Sequence, residues 1–290
     1  MLTARYEAPQ SVRHAVQLLE SDPDAKILAG GTDLLIQVRA GVKSPTAFVD
    51  VKRIPELVEI LVTDRDVRIG AAASAAIICE HHLLKREWPG LVEAAHLIGS
   101  TQIQGRGTLG GNLCNASPAA DSTCALIVNR ATCVIAGPAG EREVPVEGFC
   151  LGPGRTVLQR GELLAAVRLV RPVRGMSDAY LRLIPRSEMD IAVAGAGVSL
   201  TLDGAGRCTA ARVAIGAVAP TALLVPDAAE ALVGTTIDPA ALARAAEAAS
   251  AAARPIDDKR GTATYRTHIA GVLVRRAAAI AGARAKEHYA

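Results

Sequence analysis

Thr108-Leu109-Gly110-Gly111-Asn112-Leu113-Cys114-Asn115-Ala116-Ser117-Pro118-Ala119-Ala120-Asp121 is the most informative stretch of this 290-residue chain. Glycines at 105, 107, 110 and 111, followed by small residues and side-chain amides, predict a loop whose backbone lies flat against a ligand and aims N–H groups at it. A second loop of the same kind, Ile27-Leu28-Ala29-Gly30-Gly31-Thr32-Asp33-Leu34, lies near the N-terminus. There Gly30 and Gly31 let the backbone approach a diphosphate, and the Thr32 hydroxyl and the amides of Asp33 and Leu34 donate to it. The Asp33 carboxylate, which would repel phosphate, is expected to turn back onto backbone amides. Alone, such a Gly-Gly-Thr-Asp reads as an ordinary turn capping a helix. Two loops grip one dinucleotide, with Thr108, Gly110, Gly111 and Asn112 completing the cradle.

Working outward, residues 26–29 read as a short buried strand, and residues 32–39 as a helix capped by Thr32 and stopped at Gly41. Strand, glycine turn and helix start together present free N–H groups to a phosphate. Before them, Ser11 caps a helix whose apolar face is Val12, Ala15, Val16 and Leu19. After them, residues 57–62 and 67–71 form a hairpin, and Ser74 opens a helix. From about residue 142 the texture is strand and loop, ending in a strand over 162–170 and a linker over 171–175. Beyond it, residues 192–202 and 207–218 are strands joined by Asp203-Gly204-Ala205-Gly206, and residues 239–253 and 264–285 are alanine-rich helices. Strands followed by helices suggest a small α+β domain, an antiparallel sheet with helices on one face.

Two domains fit this length. Half the residues are apolar, yet Phe, Trp and Tyr number only two, one and four, so the core is built from Ala, Val, Leu and Ile. Few stacking platforms and a net charge of +3 exclude a nucleic-acid partner. No signal peptide and no membrane-spanning run is visible, which predicts a cytoplasmic protein. The six cysteines, at 79, 114, 124, 133, 150 and 208, never form a Cys-x-x-Cys pair, so neither zinc nor an iron–sulfur cluster is expected and no metal ligand is assigned. His81 and His82 are adjacent, unlike the i, i+4 pair of a metal site, and no Ser-His-Asp or Cys-His order supports a hydrolase; no catalytic residue is assigned.

The two loops, in this order, resemble the FAD-binding subunit of the molybdenum hydroxylases: carbon monoxide dehydrogenase medium subunits, bacterial xanthine dehydrogenase FAD subunits and 4-hydroxybenzoyl-CoA reductase β subunits. The resemblance extends through residues 149–156, 184–192, 215–221 and 259–266 and covers nearly the whole chain. It implies a PCMH-type two-subdomain FAD-binding domain over residues 1–172 and the family's C-terminal domain over 176–286. It further implies Asp121 near the ADP ribose hydroxyls, Ser117 toward the isoalloxazine ring, Ile98 as a flavin-side apolar contact, Leu164 in the last strand of the first domain and Arg182 in the second. The cysteine-bearing insert of the benzoyl-CoA reductase type is absent.

On this resemblance the chain is an oxidoreductase subunit carrying FAD. It takes electrons from a [2Fe–2S] small subunit, fed by a molybdopterin-binding large subunit, and passes them to NAD⁺ or another acceptor; it oxidises no substrate alone. Two rival readings are a self-sufficient flavin oxidase of the vanillyl-alcohol type, which usually carries a larger aromatic-rich substrate domain, and a colourless binding module whose glycines are mere turns.

Overall fold

The computed structural model describes residues 4–289. The chain opens with β1 (Arg5–Glu7), α1 (Val12–Ser21), β2 (Lys26–Leu28), α2 (Leu34–Arg39) and β3 (Ala47–Asp50). These strands form a parallel sheet in the order β1-β3-β2. Ser11 starts α1 as expected, its hydroxyl accepting from the His14 N–H, and Ala15, Val16 and Leu19 bury the predicted stripe. The next helix departs from expectation. α2 begins at Leu34 rather than Thr32, no side chain caps it, and none of its residues is buried. Six residues with no packed face have little helical stability of their own.

α3 (Pro55–Val58) takes the first residues of the strand expected from 57, because Pro55 sits in the first turn, where its fixed φ and missing N–H suit a helix start. β4 (Ile60–Val62) and β5 (Asp66–Gly70) then pair as the expected hairpin. Helices α4 (Ala75–Glu80), α5 (His82–Glu87), α6 (Pro89–His96), α7 (Thr101–Gln104), α8 (Leu109–Cys114) and α9 (Asp121–Val128) follow. Ser74 caps α4 as expected, and His81 caps α5 by accepting from the Leu84 N–H. Next come β6 (Thr132–Gly137), β7 (Gly140–Pro145), the small ribbon of β8 (Cys150–Gly152) and β9 (Arg155–Thr156), and β10 (Leu163–Val170). An antiparallel sheet of order β4-β5-β10-β6-β7 results.

β11 (Met176–Leu183), β12 (Ala194–Leu202), β13 (Cys208–Gly216) and β14 (Leu223–Leu224) form a further antiparallel sheet, followed by α10 (Pro226–Glu230), α11 (Pro239–Ala252) and α12 (Ala263–Glu287). The Asp203 carboxylate holds the β12–β13 turn, accepting from the N–H groups of Ala205 and Arg207. α11 and α12 pack through alanines, including Ala241, Ala245, Ala249, Ala270, Ala277 and Ala281, all fully buried. The segment's own helices lie on one face as expected, α12 against β11 and β12, α10 against β13 and α11 behind α12; the other face is covered as well, by α6 and α9 of the preceding segment. β12 is accordingly buried along almost its whole length. The covering helices precede the sheet in sequence, so local pattern alone could not supply them. The fold is α+β, with apolar clusters on either side of β5 and β10 and another under α11 and α12.

Candidate functional site

The two glycine loops meet. The Gly30 Cα abuts the Arg106 carbonyl, where any Cβ would collide with backbone, and Gly110 abuts the Ala71 carbonyl, which accepts from the Gly110 N–H at 3.0 Å. These glycines are therefore also required by protein packing, a role that the sequence reading did not give them. The second stretch is also no flat loop. Gly110 and Gly111 lie in the first turn of α8, whose cap Thr108 accepts from the Gly111 N–H at 2.9 Å. Gln37 ties the loops together, its Nε2 donating to Asn115 Oδ1 at 2.9 Å.

Between the loops lies a cleft of about 240 Å³. Of the residues singled out from the sequence, Ile27, Ala29, Gly30, Gly31, Thr32, Asp33, Leu34, Ile98, Thr108, Gly110, Gly111, Asn112 and Leu164 line it. Leu28, Ser117, Asp121 and Arg182 do not. Lys26, Gln37, Lys43 and Glu162 line it without having been anticipated, since nothing in their sequence neighbourhood distinguishes them from solvated residues. Val51, Leu57, Ala71, Ala72, Ile98 and Leu164 give it an apolar wall.

Its chemistry comes from the first loop. Gly31 takes a left-handed φ of 75°, which turns the chain between β2 and α2. Among the described residues, the backbone N–H groups of Gly30, Gly31, Thr32, Asp33 and Leu34 donate to no protein acceptor. Five consecutive donors without partners form a cradle for an anion. The Gln37 Oε1 is buried without a partner and is free to accept from a ligand. Asp33 does not turn back onto backbone amides, contrary to expectation: its side chain bonds to no amide, and desolvation raises its carboxyl pKa, opposed by Lys43. The Glu162 carboxylate is held below its usual range by Arg142, whose Nε and Nη2 pair with it at 2.7 Å each. Cys114 is the cysteine at the cleft, and burial pushes its thiol up to about 12, which favours the protonated form.

Asp121 belongs to a different place. It is the first residue of α9, and its carboxylate is spent on Arg182 Nη1 at 2.6 Å and on the Tyr180 hydroxyl at 2.9 Å, both from β11. Both side chains of the ion pair are nearly inaccessible, at 6% and 9%. Burial pushes Asp121 up to about 6 against the pull of Arg182. Asn112 connects this pair to the cleft, its Oδ1 accepting from the Ser122 hydroxyl at 2.6 Å. Nearby, the buried Asp178 carboxylate accepts from the N–H groups of Gly90 and Leu91 and from Asn129 Nδ2. Such residues join β11 to the helices that cover it.

Amide donors for a diphosphate, an unpartnered amide oxygen and an apolar wall for a ring system fit a flavin dinucleotide. Comparison with known proteins agrees. The FAD binding domain in molybdopterin dehydrogenase matches residues 2–172, and the CO dehydrogenase flavoprotein C-terminal domain matches residues 179–281. The chain belongs to the FAD-binding subunits of the molybdenum hydroxylase family, and its cofactor is FAD. It is 37% identical to the carbon monoxide dehydrogenase medium chain of Hydrogenophaga pseudoflava, over 96% of this chain and 97% of that one. It is 31% identical to the xanthine dehydrogenase FAD-binding subunit of Escherichia coli O157:H7, over 94% of each. A structure of reconstituted CO dehydrogenase from Oligotropha carboxidovorans superimposes with a TM-score of 0.93 at 36% identity, covering 97% of this chain and 98% of that one. Quinoline 2-oxidoreductase from Pseudomonas putida 86 does so with 0.91 at 31% identity, covering 98% of each. The relatives are subunits of oxidoreductases. No helix among the described residues is long and apolar enough to cross a membrane.

Proposed function

We propose that this chain is the flavin station of a cytoplasmic three-component molybdenum hydroxylase. A molybdopterin-binding large subunit oxidises the substrate, a [2Fe–2S] small subunit conveys the electrons, and this chain delivers them to NAD⁺ or another carrier. The domains are residues 1–172, which hold the cofactor, and 176–286. The cleft-lining residues of the two loops form the cofactor site. Bound there, FAD supplies the exchange between electron pairs and single electrons. The chain's own residues do the positioning. The amides of residues 30–34 hold the diphosphate, Gln37 Oε1 accepts a ligand N–H or hydroxyl, and the wall around Leu57 and Leu164 keeps water from a ring. The first loop, residues 27–34, holds no cysteine or histidine to form a covalent link, so acid precipitation releases the flavin from the chain.

The five unpartnered amides carry this reading. Anaerobic stopped-flow mixing tests it. A purine, an aldehyde or an N-heterocycle leaves the flavin band of the isolated chain unchanged, and bleaching appears once the iron–sulfur and molybdenum subunits are added. Rapid bleaching of the isolated chain by an organic substrate would instead mark a self-sufficient flavin oxidase.

A further inference from the structure

We propose that Lys52, which does not line the cleft, is the residue that positions the first loop for diphosphate binding, an inference that rests on the reading of residues 30–34 as the diphosphate cradle. Lys52 follows β3 by two residues, and its ammonium reaches across to the end of β2. Its Nζ donates to the Ala29 carbonyl at 3.0 Å, to the Leu28 carbonyl at 3.4 Å and to Asp50 Oδ1 at 2.6 Å. An ammonium has three protons to donate, and here all are used. Asp50 is itself fixed, being 6% exposed and accepting from the Tyr6 hydroxyl at 2.5 Å and from the Lys52 N–H at 3.0 Å. The cation is thus neutralised by a buried carboxylate and locked by the neighbouring strands.

The consequence falls on the peptide units next to the cradle. Leu28 is the last residue of β2, and beyond it the chain leaves the sheet without a strand partner to orient its carbonyls. A carbonyl oxygen turned toward the cleft would repel a diphosphate and displace the adjoining N–H groups. The Leu28 carbonyl also accepts from the Val51 N–H at 3.3 Å, so the carbonyl whose orientation depends on Lys52 is that of Ala29. Its capture holds it toward β3, so that the succession of N–H groups from Gly30 to Leu34 faces the ligand. Lys52 acts through this carbonyl, not by touching phosphate.

The test uses the full chain freed of flavin, with FAD, ADP and adenosine as ligands and titration calorimetry as the readout. ADP carries the diphosphate; adenosine lacks it. Lys52→Met is expected to weaken FAD and ADP at least tenfold while adenosine changes less than twofold, and Lys52→Arg, which keeps a cation, restores most of the loss. Unchanged ADP affinity in Lys52→Met, an equal loss for adenosine, or no recovery in Lys52→Arg would overturn the proposal. If Lys52→Met does not fold, Lys52→Gln keeps donors for Asp50 but lacks the reach to the carbonyls, and a loss of threefold or more for ADP is expected; no loss would overturn it. Failure of the wild-type chain to bind ADP more tightly than adenosine would overturn the cradle reading itself, and this inference with it.

Discussion

The cleft between the glycine loops and the seam where β11 meets helices α6, α9 and α12 treat polar groups differently. At the seam the charges are paired: Asp121 with Arg182, Glu93 with Arg284, and Asp178 with two backbone amides and Asn129. In the cleft, five consecutive backbone donors and a buried amide oxygen have no partner among the described residues. An unpaired buried polar group costs about 1–3 kcal/mol. The seam is not fully satisfied either, since Arg182 Nε, Asn129 Oδ1 and Thr123 Oγ1 are buried without a partner among the described residues. What sets the cleft apart is that its unpartnered donors are consecutive, half-exposed backbone N–H groups of one loop.

Arg182→Met would strain this distinction most. It leaves Asp121 buried beside only the Tyr180 hydroxyl, and the expected loss of stability is about 3–5 kcal/mol. The folded fraction should nevertheless bind FAD within threefold of wild type. Urea denaturation and flavin titration on the same samples measure both, and an affinity loss exceeding tenfold would move Arg182 into the cofactor site. Gly30→Val should act on both properties together. Its side chain would meet the Arg106 carbonyl and force the loops apart, costing about 3 kcal/mol of stability and most of the FAD bound after purification. A stable, yellow Gly30→Val protein would show that the loops do not need this approach.

A pH series addresses the seam by itself. Burial pushes Asp178 up to about 6, above the ordinary carboxylate value of 3.8. A carboxyl whose pKa is higher in the folded state contributes stability that is full below pH 3.8 and is lost as the pH rises through 6. Asp178→Asn has no such dependence. The stability advantage of wild type over the variant should therefore shrink by on the order of 1–2 kcal/mol between pH 4 and pH 7, read from urea midpoints. A constant difference would place the Asp178 carboxyl at its ordinary value. Thr108→Ala is the mildest change: losing the bond from the Gly111 N–H should cost about 1 kcal/mol, and Thr108→Ser should restore it.

The loops, the hairpins and the long helices were legible because their signals are local. Ser11 and Ser74 cap where a short polar side chain precedes an apolar stripe, and residues 203–206 turn because Asp203 bonds its own following backbone. What failed was long-range. The packing role of Gly30 and Gly110 was not legible, because a glycine in sequence does not reveal that its neighbour is the backbone of Arg106 or Ala71. Asp121 read as a ribose acid because its partners, Tyr180 and Arg182, lie some sixty residues further along the chain. Lys26, Gln37, Lys43 and Glu162 were missed for the same reason: only the meeting of the loops makes them cleft residues.

Amide hydrogen exchange by mass spectrometry, on the full chain with and without FAD, tests the contrast between cleft and seam most directly. The account predicts that the amides of residues 30–34 exchange quickly in the flavin-free chain and at least tenfold more slowly once FAD is bound, while the amides of Gly90 and Leu91, already bonded to Asp178, stay slow in both. Unchanged exchange at residues 30–34 on FAD binding, with new protection confined to the seam, would contradict it.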